Sequence, residues 1–268
     1  PWARSLCLVR DENPVAAKAQ PRPHPLPRFF VSPDQFGNGR VDLPLEVTQQ
    51  LQQVLRRKAG DSIIVLDNSG WEYEVELLHL SRRDGEGEIK QKRLALPEPK
   101  LKLYLYPALL KGEKLEWLLQ KGTELGIGGF CPVICQRSLL KEVSPAKIER
   151  WQRIIQEAAE QSGRGRLPSL ASPISFERAW EGIEGPGIIP WEGEAVLGLK
   201  AALEKVTLNG SPLNLFIGPE GGFEANEIAW AKRCGGIVVS LGQRLLRAET
   251  AALSVAAALL FHWGELGG

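Results

Sequence analysis

The chain has 268 residues, 43% hydrophobic and 24% charged, with a formal net charge of +1. That length predicts one large or two modest domains, and the composition excludes a disordered or low-complexity chain. The near-neutral balance excludes a global basic field, so a large anionic partner must be met by a local patch. The longest apolar stretch, near the C-terminus, is too short for a bilayer and contains Ser254 and His262. Cys7, Cys131, Cys135 and Cys234 lack paired zinc spacing. They read as reduced thiols of a cytoplasmic protein, and no metal is expected.

Residues 1–27 form a proline-rich N-terminal extension. Pro21 to Pro27 is expected as polyproline II, and the segment lacks the unbroken apolar core of a signal peptide. Strand signals begin at Arg28-Phe29-Phe30-Val31. Val47 to Lys58 predicts a short amphipathic helix with Leu51, Val54 and Leu55 inward. Ile63-Ile64-Val65-Leu66 reads as a strand. Trp71 to Leu77 alternates apolar and charged residues, as a half-exposed strand does. With turns at Gly37-Asn38-Gly39, Asn68-Ser69-Gly70 and Asp84-Gly85, residues 28–96 are expected to make a small antiparallel barrel.

Pro97-Glu98-Pro99 is the expected linker to a second domain, 97–268. Leu101 to Tyr106 reads as its first strand, Glu113 to Leu125 as a helix, and Phe130 to Ile134 as a strand. Lys121 and Glu124 are either an i,i+3 pair or face a substrate, and Arg137 is either a strand-end charge or a substrate contact. Ser144-Pro145 starts the next helix, with Ser as N-cap and Pro in the first turn. It ends in Gln161-Ser162-Gly163-Arg164, where a helix C-terminus already favours positive charge. Gly163-Arg164-Gly165 does not continue as a dinucleotide fingerprint, because residue 168 is proline. Phe176 to Trp180 predicts a helical turn. Either Ile188 to Glu192 or Ala195 to Leu199 should enter a sheet.

Leu213 to Ile217 is an apolar run that ends in Gly218-Pro219-Glu220-Gly221-Gly222. Val238-Val239-Ser240-Leu241-Gly242 repeats the pattern, followed by Leu245-Leu246-Arg247-Ala248-Glu249-Thr250-Ala251. Two glycine-ended runs alternating with helical patterns predict neighbouring parallel strands with a pocket beyond their carboxyl ends. Bare glycine loops let a flat ligand lie against backbone polar groups. Leu241, Leu245 and Leu246 are expected as apolar walls, with Arg247 as the positive charge at the mouth of the last helix. Glu249 either orients Arg247, acts as a base, or favours the helix dipole. Glu224 to Cys234 and Glu249 to Trp263 read as helices, the second Ala-rich on one side. Glu224 is an unfavourable N-cap.

These two loops resemble the cofactor motifs of the SPOUT methyltransferases, and most closely the RsmE family, which methylates N3 of a uridine in 16S ribosomal RNA. Gln120 to Gly126, Arg137-Ser138 and Gln161 to Arg164 also resemble that family. The resemblance spans roughly Arg28 to the C-terminus. It implies an α/β fold: a C-terminal SPOUT domain with a trefoil knot, preceded by a small PUA-like β-barrel that binds RNA. It implies S-adenosylmethionine as cofactor, a homodimer, and 16S ribosomal RNA of the small subunit as partner. It assigns the cofactor to Ile217, Gly218, Pro219, Glu220, Gly221, Gly222, Ser240, Leu241, Gly242, Leu245, Leu246, Arg247, Thr250 and Ala251. Arg247 and Arg164 become the catalytic candidates. Arg28, Lys121, Arg137, Gln161, Ser162 and Arg164 become RNA contacts. A related enzyme acting on a ribose 2′-hydroxyl or another base, and a non-catalytic RNA-binding protein, are the alternatives.

Overall fold

The structure is a computed structural model that describes residues 26–81 and 83–267. Expectations for residues 1–25 lie outside the described residues. The fold contains two large sheets. The first holds β1 (Arg28–Phe30), β2 (Phe36–Gly37), β3 (Arg40–Leu43), β4 (Ser62–Leu66), β5 (Trp71–Leu80) and β6 (Gly85–Leu94), in the order β1-β4-β5-β6-β3-β2. Neighbours run antiparallel except β1 and β4, which pair in parallel, so the wholly antiparallel expectation is corrected at that pair. A parallel pair needs a long crossover, and the chain between Val31 and Asp61 supplies it through β2, β3 and α1 (Leu45–Gln49).

Strand β4 joins two layers. Its period of two sends Ile63 and Val65 to the core of the first sheet, with Phe29, Val41, Leu51 and Val75. Ile64 and Leu66 point the other way, with Phe30, and pack on Ala159. The β5–β6 ladder carries two register shifts, after Glu74 and after Leu77, and such bulges bend a sheet. A Cβ on Gly87 would collide with Val75 Cγ1, so this crossing needs glycine.

The helix expected at Val47 to Lys58 is different. It starts at Leu45 and passes into a π turn over Gln50–Val54, closed by Leu55 N–H to Gln50 O at 3.0 Å. The wider turn rotates the following residues off the core face. Val47, Thr48 and Leu51 are buried, whereas Val54 and Leu55 are 70% and 37% exposed. The inward assignment of Val54 and Leu55 is therefore corrected.

The second sheet is parallel throughout. Its strands are β7 (Leu103–Pro107), β8 (Gly129–Phe130), β10 (Ser169–Leu170), β12 (Gly187–Pro190), β13 (Leu213–Ile217) and β14 (Ile237–Val239), in the order β10-β8-β7-β13-β12-β14. The strand expected over Phe130 to Ile134 is split at Cys131-Pro132: β9 (Val133–Ile134) leaves the sheet and pairs with β11 (Ile174–Ser175). Proline has no N–H for a ladder, which is where the run breaks. Of the two candidate runs near 190, Gly187–Pro190 enters the sheet, between β13 and β14.

Helices cover both faces of this sheet. On one side lie α2 (Lys114–Leu125), α3 (Pro145–Ser162), α5 (Leu199–Leu203) and α7 (Ala248–His262), burying Leu118, Trp151, Leu203 and Leu259 against Leu103, Leu105 and Leu215. On the other lie α4 (Phe176–Gly182) and α6 (Ala225–Arg233), with Trp180 stacked on Phe216 at 4.1 Å between centroids. A sheet covered on both sides explains the near-continuous apolar strands. Asn214 is the polar exception in β13; its buried amide donates to Glu184 O and Pro186 O at 2.7 and 3.2 Å. Helix α3 touches both sheets: Trp151 and Ile155 pack on the second, Ala159 on the first.

Candidate active site

Strands β13, β12 and β14 are adjacent and parallel, so their carboxyl ends open at one edge. A cleft of about 1050 Å³ lies there. Its walls include Ile217 to Phe223 after β13, and Ser240, Leu241 and Gly242 after β14. Leu245, Leu246, Arg247 and Ala251 also line it. Thr250 does not line the cleft.

Gly218 and Gly222 of the first loop serve the protein's own packing, whereas a Cβ on Gly221 would make only an ordinary contact. A Cβ on Gly218 would sit 3.0 Å from the Phe223 ring. One on Gly221 would sit 3.4 Å from Arg137 Cβ and Cδ. One on Gly222, where φ is +72°, would run into Glu192 Oε1. The turn is closed by Gly222 N–H to Pro219 O at 2.9 Å. Gly242 differs: φ is +96°, nothing lies near its missing Cβ, and its N–H donates to Ser240 Oγ at 3.2 Å. Leu241 is half-buried, but Leu245 and Leu246 are 86% and 39% exposed. The two leucines form a lip of the cleft rather than an enclosed wall.

Arg247 occupies the N-cap position of α7 with its side chain exposed at the cleft. It is not the sole cation there, because Arg244 and Lys114 line the same cleft. Lys114 Nζ binds Glu220 Oε1 at 3.1 Å, and the Lys111 N–H reaches the same oxygen at 3.1 Å. Burial opposes the charge on Glu220, but its own backbone, Lys114 and Lys111 together hold the carboxyl below its ordinary range. Glu249 also lines the cleft, and its Oε2 is buried without a hydrogen-bond partner among the described residues. Such an atom calls for a ligand or water.

Arg137 braces the first glycine loop from outside, donating from Nε to Glu224 Oε1 and from Nη1 to Gly221 O, both at 2.7 Å. Glu227, rather than Glu224 alone, finishes the start of α6. Its carboxylate accepts the Glu224 N–H at 2.8 Å and the Gln136 N–H at 2.9 Å. The poor cap is thus offset by a buried acid three residues on.

The other RNA candidates lie outside the cleft lining. Arg28 binds Glu72 Oε2 at 2.5 Å, and Arg93 takes the other oxygen at 2.6 Å. Lys121 binds Glu124 at 2.7 Å along α2. Gln161 is exposed, and Ser162 Oγ donates back to Ala158 O at 2.7 Å. Arg164 is only 11% exposed along its side chain. Its Nε and Nη2 donate to Glu98 Oε2 at 3.0 and 2.5 Å, and Nη1 donates to Thr123 O and Ile127 O at 3.1 and 2.8 Å. It ties the 97–99 linker to the ends of α2 and α3.

Sequence reasoning missed Trp191, Glu192, Glu194 and Ala195, which line the cleft from the segment after β12. Nothing in that segment's pattern reveals that β12 lies between β13 and β14. Cys131 and Cys135 are poor nucleophiles. Burial pushes the Cys131 thiol up to about 11, and Cys135 well above the ordinary thiol range. Among the described residues there is no cluster of three metal-binding side chains and no helix long and apolar enough to cross a membrane.

Comparison with known proteins agrees with this geometry. A family model described as an RNA methyltransferase domain matches residues 97–260. The ribosomal RNA small subunit methyltransferase E of a Synechocystis strain is 39% identical over 84% of this chain and 74% of its own length. The protein of that name from Bacillus subtilis is 32% identical over 83% of this chain and 90% of its own. The crystal structure of the Neisseria gonorrhoeae ribosomal RNA small subunit methyltransferase E bound to S-adenosyl methionine superposes with a TM-score of 0.81. It is 29% identical and covers 90% of this chain and 99% of that one. On the strength of that match over most of its length, this chain belongs to the ribosomal RNA small subunit methyltransferase E family.

Proposed function

We propose that this protein is an S-adenosylmethionine-dependent methyltransferase that methylates N3 of one uridine in 16S ribosomal RNA of the small subunit. The observation that carries the reading is the single cleft in which the loops after β13 and β14 meet. The residues there suit the cofactor. The backbone of the two loops would suit the polar edge of a purine, with Ile217 and Leu241 as apolar contacts. Arg244 and Arg247 suit a carboxylate, and the unpartnered Glu249 oxygen suits a donor group.

When bound, the cofactor supplies a methyl group on a cationic sulfur, already electrophilic. The protein's task is then alignment and charge. It must hold the uracil N3 in line with that methyl. N3 carries a proton of low acidity, which has to leave as the N–C bond forms. Arg247 faces the cleft and stabilises the negative charge that develops on the uracil. Glu249, in the same cleft lining, would orient Arg247 or accept the proton.

The same reading makes residues 28–96 a PUA-like RNA-binding barrel and 97–268 a knotted SPOUT domain that acts in the cytoplasm as a homodimer. The parallel order of the second sheet, with α7 folded back on α2 and β13, supports the second domain. Ala251, Ser254, Ala258 and the 70% exposed Phe261 share one side of α7, which supports a helix partner. Arg164 keeps a part in this reading as a positioning residue for the α3 turn.

The test is methylation of small ribosomal subunits by the purified protein with the labelled cofactor, followed by mass spectrometric mapping of the 16S RNA. A single N3-methyluridine is expected. A ribose methyl, or a methyl on another base, overturns the reading.

A further inference from the structure

Among the acids of the cleft, Glu192 has a distinctive setting. It lines the cleft from the segment after β12, and its Oε1 lies across Gly222, which has no Cβ to displace it. The turn that carries it is well fastened. The Trp191 N–H donates to Val239 O at 3.0 Å, and the Glu194 N–H to Trp191 O at 3.1 Å. Glu194 Oε1 accepts the Val196 and Leu197 N–H groups at 2.9 and 3.3 Å. A Cβ on Gly193 would collide with the Trp191 ring, so this tight turn is also built on glycine.

Two of the other cleft acids are already engaged, and the third, Glu249, stands in the first turn of α7. Glu220 has Lys114, and Glu194 has its backbone donors and Lys232 at 3.8 Å. Arg137, whose charge Glu224 chiefly favours and Glu192 also favours, is ion-paired to Glu224 at 2.7 Å. Glu192 is thus an exposed carboxylate beside Gly222 without an ion pair of its own among the described residues, carried by a fastened backbone turn. A carboxylate so placed attracts a cationic ligand entering the cleft, and attracts a neutral one less.

We propose that Glu192 makes the cleft discriminate by charge between methyl donor and spent product. This rests on the methyltransferase reading above. The donor carries a sulfonium and an ammonium against one carboxylate; loss of the methyl leaves a neutral thioether and no net charge. The carboxylate over Gly222 therefore favours the donor and promotes exchange of the product.

Isothermal titration of the full chain with S-adenosylmethionine, S-adenosylhomocysteine and sinefungin tests this. Sinefungin keeps a cationic amine near the place of the sulfonium. Glu192→Gln is expected to weaken the donor and sinefungin about fivefold and to leave the product within about twofold, the scale of one partly screened charge pair. Glu192→Asp, which keeps the charge, is expected to restore most of the preference. Equal weakening of all three ligands, or no change in any, overturns the proposal and leaves the methyltransferase reading intact. Failure of the unaltered protein to bind the donor overturns both. The ratio of the affinities is the readout because a merely structural role for Glu192 shifts all three ligands together.

Discussion

The turn after α3 and the loop before α7 carry similar chemistry and meet opposite fates. Each places an arginine beside a helix end. At Arg164 the protein supplies every partner itself: one carboxylate and two carbonyls, 37 to 66 residues away in sequence. At Arg247 the side chain is exposed on a cleft, beside an acid with an unpartnered buried oxygen. The contrast teaches that a polar motif at a helix end is ambiguous until its hydrogen bonds are counted. A saturated arginine holds the scaffold, and one left open to a cleft is available to a ligand.

The sharpest way to break this contrast is Arg164→Ala. It leaves Glu98 and the carbonyls of Thr123 and Ile127 without their donor, so a stability loss of about 3 kcal/mol is expected in urea titration. Cofactor affinity of the folded fraction should stay unchanged. If stability holds and only RNA methylation falls, Arg164 belongs with the substrate and the contrast dissolves.

Arg247→Ala is the mirror experiment. Removing a cation that acts on developing charge is expected to lower kcat/KM for RNA about 100-fold. The unfolding midpoint should move by no more than about 0.5 kcal/mol equivalent, because the side chain is exposed. A large stability loss with unchanged turnover reverses the assignment.

A smaller effect sharpens the scaffold side. Glu160, on α3 just before the Arg164 turn, accepts the Phe30 N–H at 2.9 Å and the Gln156 amide at 3.0 Å. Burial nevertheless wins and raises its carboxyl above the ordinary range. A raised folded-state value means that folding favours the protonated form. That contribution is complete below the unfolded carboxyl range and is lost as pH rises through the folded value. Glu160→Gln keeps an acceptor oxygen without the charge. Its melting temperature should exceed that of the unaltered protein at neutral pH, and the two should converge near about pH 4. A gain that persists in acid points to packing instead.

Much of the scaffold was legible because local pattern and final environment coincide. Leu213–Ile217 is fully buried in a sheet covered on both faces, so its run of apolar residues marks it without ambiguity. Leu115, Leu118 and Leu119 recur at helical spacing and face the core. The Val54-Leu55 error came from a π turn, which shifts the phase of a helix without leaving a mark in its composition. The glycine loops were legible as bends, but their reason was not. Gly218 makes way for Phe223 of its own loop, and Gly222 for Glu192, which is reached only through the fold.

The sequence by itself determined that residues 63–66, 71–77, 103–106 and 213–217 become strands, where the chain turns, and the two loops that line the cleft. These depend on periodicity, glycine and proline, which act over a few residues. Only the tertiary structure decided that β12 lies between β13 and β14, which brings Glu192 over Gly222, and that Glu98 meets Arg164. Those outcomes depend on strand order and on pairing between distant polar groups. A charge carries no local record of the partner that will neutralise it.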